Sequence, residues 1–364
     1  SLPDDLLLTC FARVSRLYYP TLSLVSKSFR TILASPELGK TRALLNRTET
    51  CLYVCLKFRH DPNQRWFTLC RKPNQTLTNV TDKKKNSSGY VLVPIPIPSS
   101  PPAHYDGLVA VGSNIYAIGG SVRKEFSSRV SILDCRSHTW HEAPSMSIKR
   151  NYPTANVVDG RIYVAGGIKD FNSSNWMEVF DTKTQTWEHV LSPLAKRCGR
   201  HIYNSTVIEG KLYVSGFKGV AYKPKEDKWI PIRERMNIEL ALLDPHSYCA
   251  IDNVQYYYRP GQITWTTWYD YDELRDWIEL KGLEGLPKID RSSTVKLADC
   301  GGKLVVLWDK YVPASGDKEK MIWCAEISLE RRNSEEIWGK VEWFDEVLTV
   351  PKYYKFVHAI SATV

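Results

Sequence analysis

The segment RIYVAGG (residues 161–167) is a short apolar run that stops at two glycines. A phosphate-cradling loop also follows a strand, and it also needs glycine so that backbone N–H groups can approach the anion. Recurrence separates that reading from a structural one. NIYAIGG stands at 114–120 and KLYVSGF at 211–217, so Tyr116, Tyr163 and Tyr213 align at spacings of 47 and 50 residues. Each run is preceded by a tight turn (VGSNIY, VDGRIY, IEGKLY). Each is followed by VSILDCRSHTW, MEVFDTKTQTW or GVAYKPKEDKW, which carry Trp140, Trp187 and Trp229. A phosphate loop would lead into a helix, whereas SVRKEFSSRVSILD after the first pair is strand-like. The glycines are corners.

Each unit therefore reads as strand, turn, strand ending in Gly-Gly, variable loop, strand, polar turn and a strand opening with Trp. Four short strands at a period near 50 residues is the pattern of a β-propeller blade. Glycine supplies backbone freedom where strands crowd, and Trp supplies bulk between adjacent sheets. Asp134 and Asp181 cap the polar turn, where the third unit has Lys223. Fainter units are expected at 51–73, 248–283 and 293–344, giving six blades, with seven as the alternative count. VHAISATV (357–364) resembles a first strand that the blade near residue 51 lacks, and pairing the two would close the ring. Segment 73–104 lies outside the repeat: a polar loop with Lys83, Lys84 and Lys85, then a proline-rich run expected at a blade edge. Tyr257, Tyr258, Trp265, Trp268 and Tyr269 are expected to pack between blades, with a stacked small ligand as the alternative.

Composition narrows the function. The 364 residues are 43% hydrophobic and 24% charged, with 12 Trp, 20 Tyr and a net charge of +9 that favours acidic partners. Nine cysteines occur without a CxxC; Cys51 and Cys55 share a strand face, and His138 and His141 form the close histidine pair. No metal site and no cofactor are expected. Reduced thiols fit a cytoplasmic or nuclear protein, and neither a signal peptide nor a membrane-spanning run is expected.

The N-terminal stretch SLPDDLLLTCFARVSRLYYPTLSLVSKSFRTILASPEL has a helical period instead. Pro3, Asp4 and Asp5 suit a helix start, with Leu7, Cys10, Phe11 and Val14 on one face. Pro20 opens a second helix, expected to carry Leu22, Val25, Phe29 and Ile32 on one stripe and to end before Pro36. Such short helices bury too little to stand alone, and Leu2, Leu6 and Leu8 are apolar residues left over for another chain. LPDDLLL, RVSR and LSLVSKSFRTILASPEL resemble an F-box. Together with kelch-like units, the chain resembles the plant F-box/kelch-repeat family, with a helical domain at 1–45 and a propeller at 46–364. The resemblance implies docking on a Skp-type adaptor, and through it on a cullin scaffold, while the propeller holds a protein substrate for ubiquitin transfer. It implies an adaptor contact at Leu2, Pro3, Leu6, Leu22, Val25 and Phe29, with Val25 and Phe29 equally suited to the domain's own core.

In a propeller of this kind, the loops after the glycine pairs and those joining blades share one face. Arg123, Arg150, Lys169, Arg197, Arg200 and Lys218 fall in these loops, with few acids beside them (Glu125, Asp170, Asp290). They are candidates for engaging an acidic or phosphorylated substrate; ordinary loop solvation is the competing explanation. Three functions compete for these features. The first is a non-catalytic ligase subunit, the second a kelch scaffold with no ligase role, and the third a propeller enzyme of the copper oxidase or sialidase type. The enzyme is disfavoured because the loops supply few carboxylates and one histidine, His201. No nucleic-acid motif accompanies the basic residues, and no membrane partner is expected.

Overall fold

A computed structural model describes residues 3–61, 63–72, 88–97, 100–102, 104–120, 126–169, 171, 175–199, 201–244, 247–269, 273–274, 276–316 and 318–364. Six four-stranded antiparallel sheets form the blades of a ring, which settles the count at six. Blade 2 shows the repeat most plainly: Leu108–Val111, Asn114–Ile118, Val130–Asp134 and Thr139–Ala143. Blades 3 and 4 repeat it from Thr154 and from Asn204, blade 5 from Tyr248 and blade 6 from Val295. The first strands of all six blades line a central channel of about 380 Å³, with Asn156, Thr206 and Ser361 among its polar residues.

The ring closes through blade 1. Its innermost strand is C-terminal, Tyr354–Thr363, and it pairs antiparallel with Thr50–Phe58; Gln64–Arg71 and Tyr90–Pro94 complete the sheet. The expected closure is present, and it leaves neither end of the ring as a free sheet edge. Tyr90–Pro94 corrects the reading of 73–104 as outside the repeat, because this stretch is the fourth strand of blade 1. It does lie at the edge, where a proline costs no ladder hydrogen bond on its open side. Lys83, Lys84 and Lys85 lie outside the described residues.

Local chemistry explains the repeat. Asp159-Gly160 and Glu209-Gly210 each turn a hairpin with both residues at positive φ, as a two-residue type I′ turn requires. Gly167 has φ +65°, and a Cβ there would stand 2.6 Å from the Asn151 carbonyl oxygen in the connection from blade 2 to blade 3. Asp181 Oδ1 accepts from the backbone N–H groups of Lys183 and Thr184 at 2.9 and 3.2 Å, fixing the polar turn. Two of the three repeat tryptophans tie their blade to the one before: Trp187 Nε1 donates to the Pro144 carbonyl and Trp229 Nε1 to the Leu191 carbonyl, both at 2.8 Å. Tyr258 and Trp265 are buried in the core shared by blades 5 and 6, as expected, and Tyr257 packs against Trp277.

The N-terminal unit comprises α1 (Asp4–Arg13), α2 (Tyr19–Leu22), α3 (Lys27–Leu33) and α4 (Pro36–Leu44). The single second helix expected from sequence is broken. Ser26 Oγ accepts from the Phe29 N–H and starts α3 afresh, so Val25 leaves the stripe and points to solvent. The helical stretch ends before Pro36 as expected, with α3 stopping at Leu33, and Pro36 then opens α4 at a first-turn position.

Two glycine substitutions separate backbone strain from crowding. Gly160 (φ +77°) has open space where a Cβ would go. Gly160→Ala is expected to cost about 1 kcal/mol, and Gly167→Ala at least about twice that, because strain and a backbone clash add. Urea unfolding of the two variants measures both.

Candidate functional site

The helices sit at one end of the ring. Phe11, Ala12, Tyr19, Ile32 and Leu38 form their core, and Phe11 and Phe29 meet edge to face at 4.7 Å. Arg42 from α4 is buried at its base. Its guanidinium donates to the Val14 carbonyl at 2.7 Å and to Tyr19 Oη at 3.0 Å, and it pairs with Glu49 at 2.9 Å. The other Glu49 oxygen accepts from Ser15 Oγ and from the Arg16 N–H, each at 3.0 Å. Arg16 Nη2 donates to the carbonyl of Cys135, in the polar turn of blade 2, and Leu17 packs on the core of blades 1 and 6. The unit is therefore anchored under the hairpin turns of the ring.

Among the residues expected to meet an adaptor, Leu22 and Phe29 are half-buried and pack against this small core. Leu8, counted among the leftover apolar residues, packs there too. Pro3, Leu6 and Val25 are exposed, Val25 at 64%. Leu24 is more exposed still, at 71%, and sequence reading missed it because the expected continuous helix hid the turn that presents it. Leu2 lies outside the described residues.

The connections between blades and the loops after the glycine pairs occupy the opposite end. Arg150 is not available there, which corrects its reading as a substrate residue. It is fully buried, pairs with Glu178 at 2.9 Å, and donates to the carbonyls of Gly166 (2.7 Å), Asn175 (2.9 Å) and Trp176 (3.1 Å). Glu178 also accepts from the Ser147 N–H at 2.9 Å. The pair fastens the blade 2–blade 3 connection onto blade 3. Lys169 and Lys218 are exposed, and Arg197 is half-buried, with its carbonyl accepting from the Lys218 N–H at 3.1 Å. Arg123 and Arg200 lie outside the described residues. Three aromatic residues on the same loops, Tyr152, Tyr203 and Phe217, are exposed, Phe217 at 75%. The signal for Phe217 was present in KLYVSGF, where an aromatic stands in place of the second glycine.

Lys296 lies on the first strand of blade 6 and is 2% exposed, with Nζ 5.8 Å from the Phe356 ring and no hydrogen-bond partner among the described residues. Burial lowers its pKa to about 7 against the pull of Asp244 and Asp106, with Lys355 adding to the fall. Burial has the opposite effect on thiols, pushing Cys70, Cys135 and Cys198 up to about 12 and keeping them protonated. Among the described residues, no three His, Cys, Asp or Glu side chains converge as a metal site would require. No helix among them is long and apolar enough to cross a membrane.

Comparison with known proteins covers both ends. Residues 66–348 match the family described as "FKB95, Kelch-repeats domain", and residues 1–41 match the F-box domain. An F-box/kelch-repeat protein of Arabidopsis thaliana is 58% identical over 376 residues, spanning all of this chain and 94% of that protein. A second is 63% identical over 363 residues, again spanning all of this chain and 94% of that protein.

Two substitutions test these assignments. Glu178→Ala leaves the buried Arg150 charge unpaired and is expected to lower stability by about 3–5 kcal/mol in chemical denaturation. Between pH about 7 and 10 the unfolded chain binds a proton at Lys296 that the folded chain does not, so stability should rise with pH across that window. Lys296→Met is expected to abolish the rise and to be more stable than the parent below pH 7. An unchanged pH profile would contradict the assignment.

Proposed function

The chain belongs to the F-box/kelch-repeat family, and on that premise we propose that it is the substrate-recognition subunit of an Skp–cullin–F-box ubiquitin ligase. One observation carries the reading: the helical unit and the basic, aromatic loop face occupy opposite ends of one closed ring. The helices bury only their own small core and their seat on the propeller, leaving Leu6, Leu24 and Val25 exposed for a Skp-type adaptor. The loop face offers Lys169, Arg197 and Lys218 for carboxylates or phosphates, beside Tyr152, Tyr203 and Phe217 as apolar contacts. By sequence Arg123 and Arg200 belong to the same loops. A protein substrate with acidic or phosphorylated residues flanking an apolar side chain fits this combination.

The chain contributes no bond-making step in this role. It holds a substrate within reach of a ubiquitin donor supplied by other subunits, and its contribution is effective concentration and orientation. Rigid seating of the helices on the ring matters for that task, because a loosely hinged unit would sweep the substrate through a larger volume.

Co-purification with a Skp-type adaptor tests the proposal. The parent chain is expected to form a stoichiometric complex, and Leu24→Asp/Val25→Asp to lose it while keeping its circular dichroism spectrum. Phe217→Ser, at the other end, should bind the adaptor as the parent does. A folded parent that forms no complex would leave an interaction scaffold without a ligase role.

A further inference from the structure

Beneath the helical unit lies a cavity of about 650 Å³, wedged between α2–α3, blade 1 and the polar turn of blade 2. Neither the adaptor-facing residues nor the loop face uses it. Its walls are apolar: Leu33 from α3, Leu69 and Val93 from blade 1, Ile95 and Ile97 from the proline-rich run, and Trp140 from blade 2. Such a volume lies within the range of small-molecule sites, about 300–1,000 Å³, which pair apolar walls with a few placed polar groups.

The polar groups here have one sign. Among the described residues, three arginines line the cavity and no Asp or Glu does. Arg136 is neutralised by Asp134 at 3.0 Å. Arg16 and Arg30 have no carboxylate partner among the described residues. Arg16 donates to the Cys135 carbonyl at 2.9 Å and lies 5.5 Å from the Tyr19 ring, while Arg30 makes a long 3.4 Å contact with the Ser23 carbonyl. His138, the remaining titratable base in the wall, is held neutral by burial and by Arg16. Two uncompensated guanidinium groups above an apolar floor match a ligand with an anionic head and an apolar body.

We propose that this cavity binds a small amphipathic anion, its charged head facing Arg16 and Arg30 and its apolar body resting on Leu69, Val93, Ile95 and Ile97. The occupant would touch the helices, blade 1 and blade 2 at once, and so stiffen the joint between the helical unit and the ring. The proposal does not depend on the ligase reading.

Titration calorimetry on the full chain tests it with three probes: decanoate, decanol and acetate. Decanoate is expected to bind at one site and to raise the melting temperature. Decanol lacks the charge and acetate lacks the apolar body, and each should bind at least tenfold more weakly. Arg16→Gln/Arg30→Gln should weaken decanoate at least tenfold and leave decanol unchanged. Because Arg16 also seats the helices, Ala34→Trp supplies an independent variant that fills the cavity from an exposed wall position and should remove decanoate binding. Three results would overturn the proposal: no decanoate binding, binding that both variants retain, or equal binding of decanol. Displacement of decanoate by the Skp-type adaptor would do so as well, by assigning the cavity to a protein partner.

Discussion

A ring of sheets has to be closed, and here closure depends on strand Tyr354–Thr363 pairing with Thr50–Phe58. Beyond the pair, Glu49 and Val364 exchange backbone hydrogen bonds of 2.8 Å in both directions. The Glu49 carboxylate then holds Arg42, Ser15 and the start of the Arg16 turn. One residue thus belongs both to the seam that closes the ring and to the joint that seats the helices. Loss of the C-terminal strand would strip blade 1 of its innermost strand, expose the Thr50–Phe58 edge and remove the backbone partner of Glu49. The opposed placement of the helical unit and the loop face follows from that joint.

Around the ring, neighbouring blades are fastened by a few repeated devices. Glycine pairs let the connections approach closely, and tryptophan N–H groups reach the carbonyls of the preceding blade. Arg150 and Glu178 add a buried ion pair whose remaining donors are satisfied by carbonyls, the condition under which burying two charges is tolerated. Blade 1 departs from the pattern. Its link to blade 2 is proline-rich, and Trp140 has no carbonyl partner among the described residues. Trp66 and Trp140 pack against each other there at 6.1 Å, and Trp66 Nε1 donates to Ser100 Oγ at 3.0 Å. The cavity between helices and ring lies along that irregular seam.

Much of the fold was legible in the sequence because a repeat averages out local ambiguity. Aligned Tyr116, Tyr163 and Tyr213 carried the blade reading, and VHAISATV carried the closure. Non-repeating parts were harder. Val25 suited either an adaptor contact or the core of a continuous helix until the Ser26 cap broke that helix, and the stretch does end before Pro36, which opens a further helix. The site was less legible than the fold. Arg150 sits in a loop by sequence, yet three carbonyls and a carboxylate draw it inside, and spacing does not reveal such a convergence. Conversely, Tyr152 and Tyr203 are marked by their exposure alone, whereas Phe217 also stands where the other units have a second glycine.

The proposed role joins a propeller that selects a protein to a helical unit that delivers it, with chemistry left to other subunits. Its most direct test is ubiquitin-remnant profiling in plant cells expressing either the parent chain or Leu24→Asp/Val25→Asp, with the proteasome blocked. The expected result is a protein that co-purifies with both forms but gains ubiquitin only with the parent. Equal ubiquitination of every shared partner with the two forms would contradict the account.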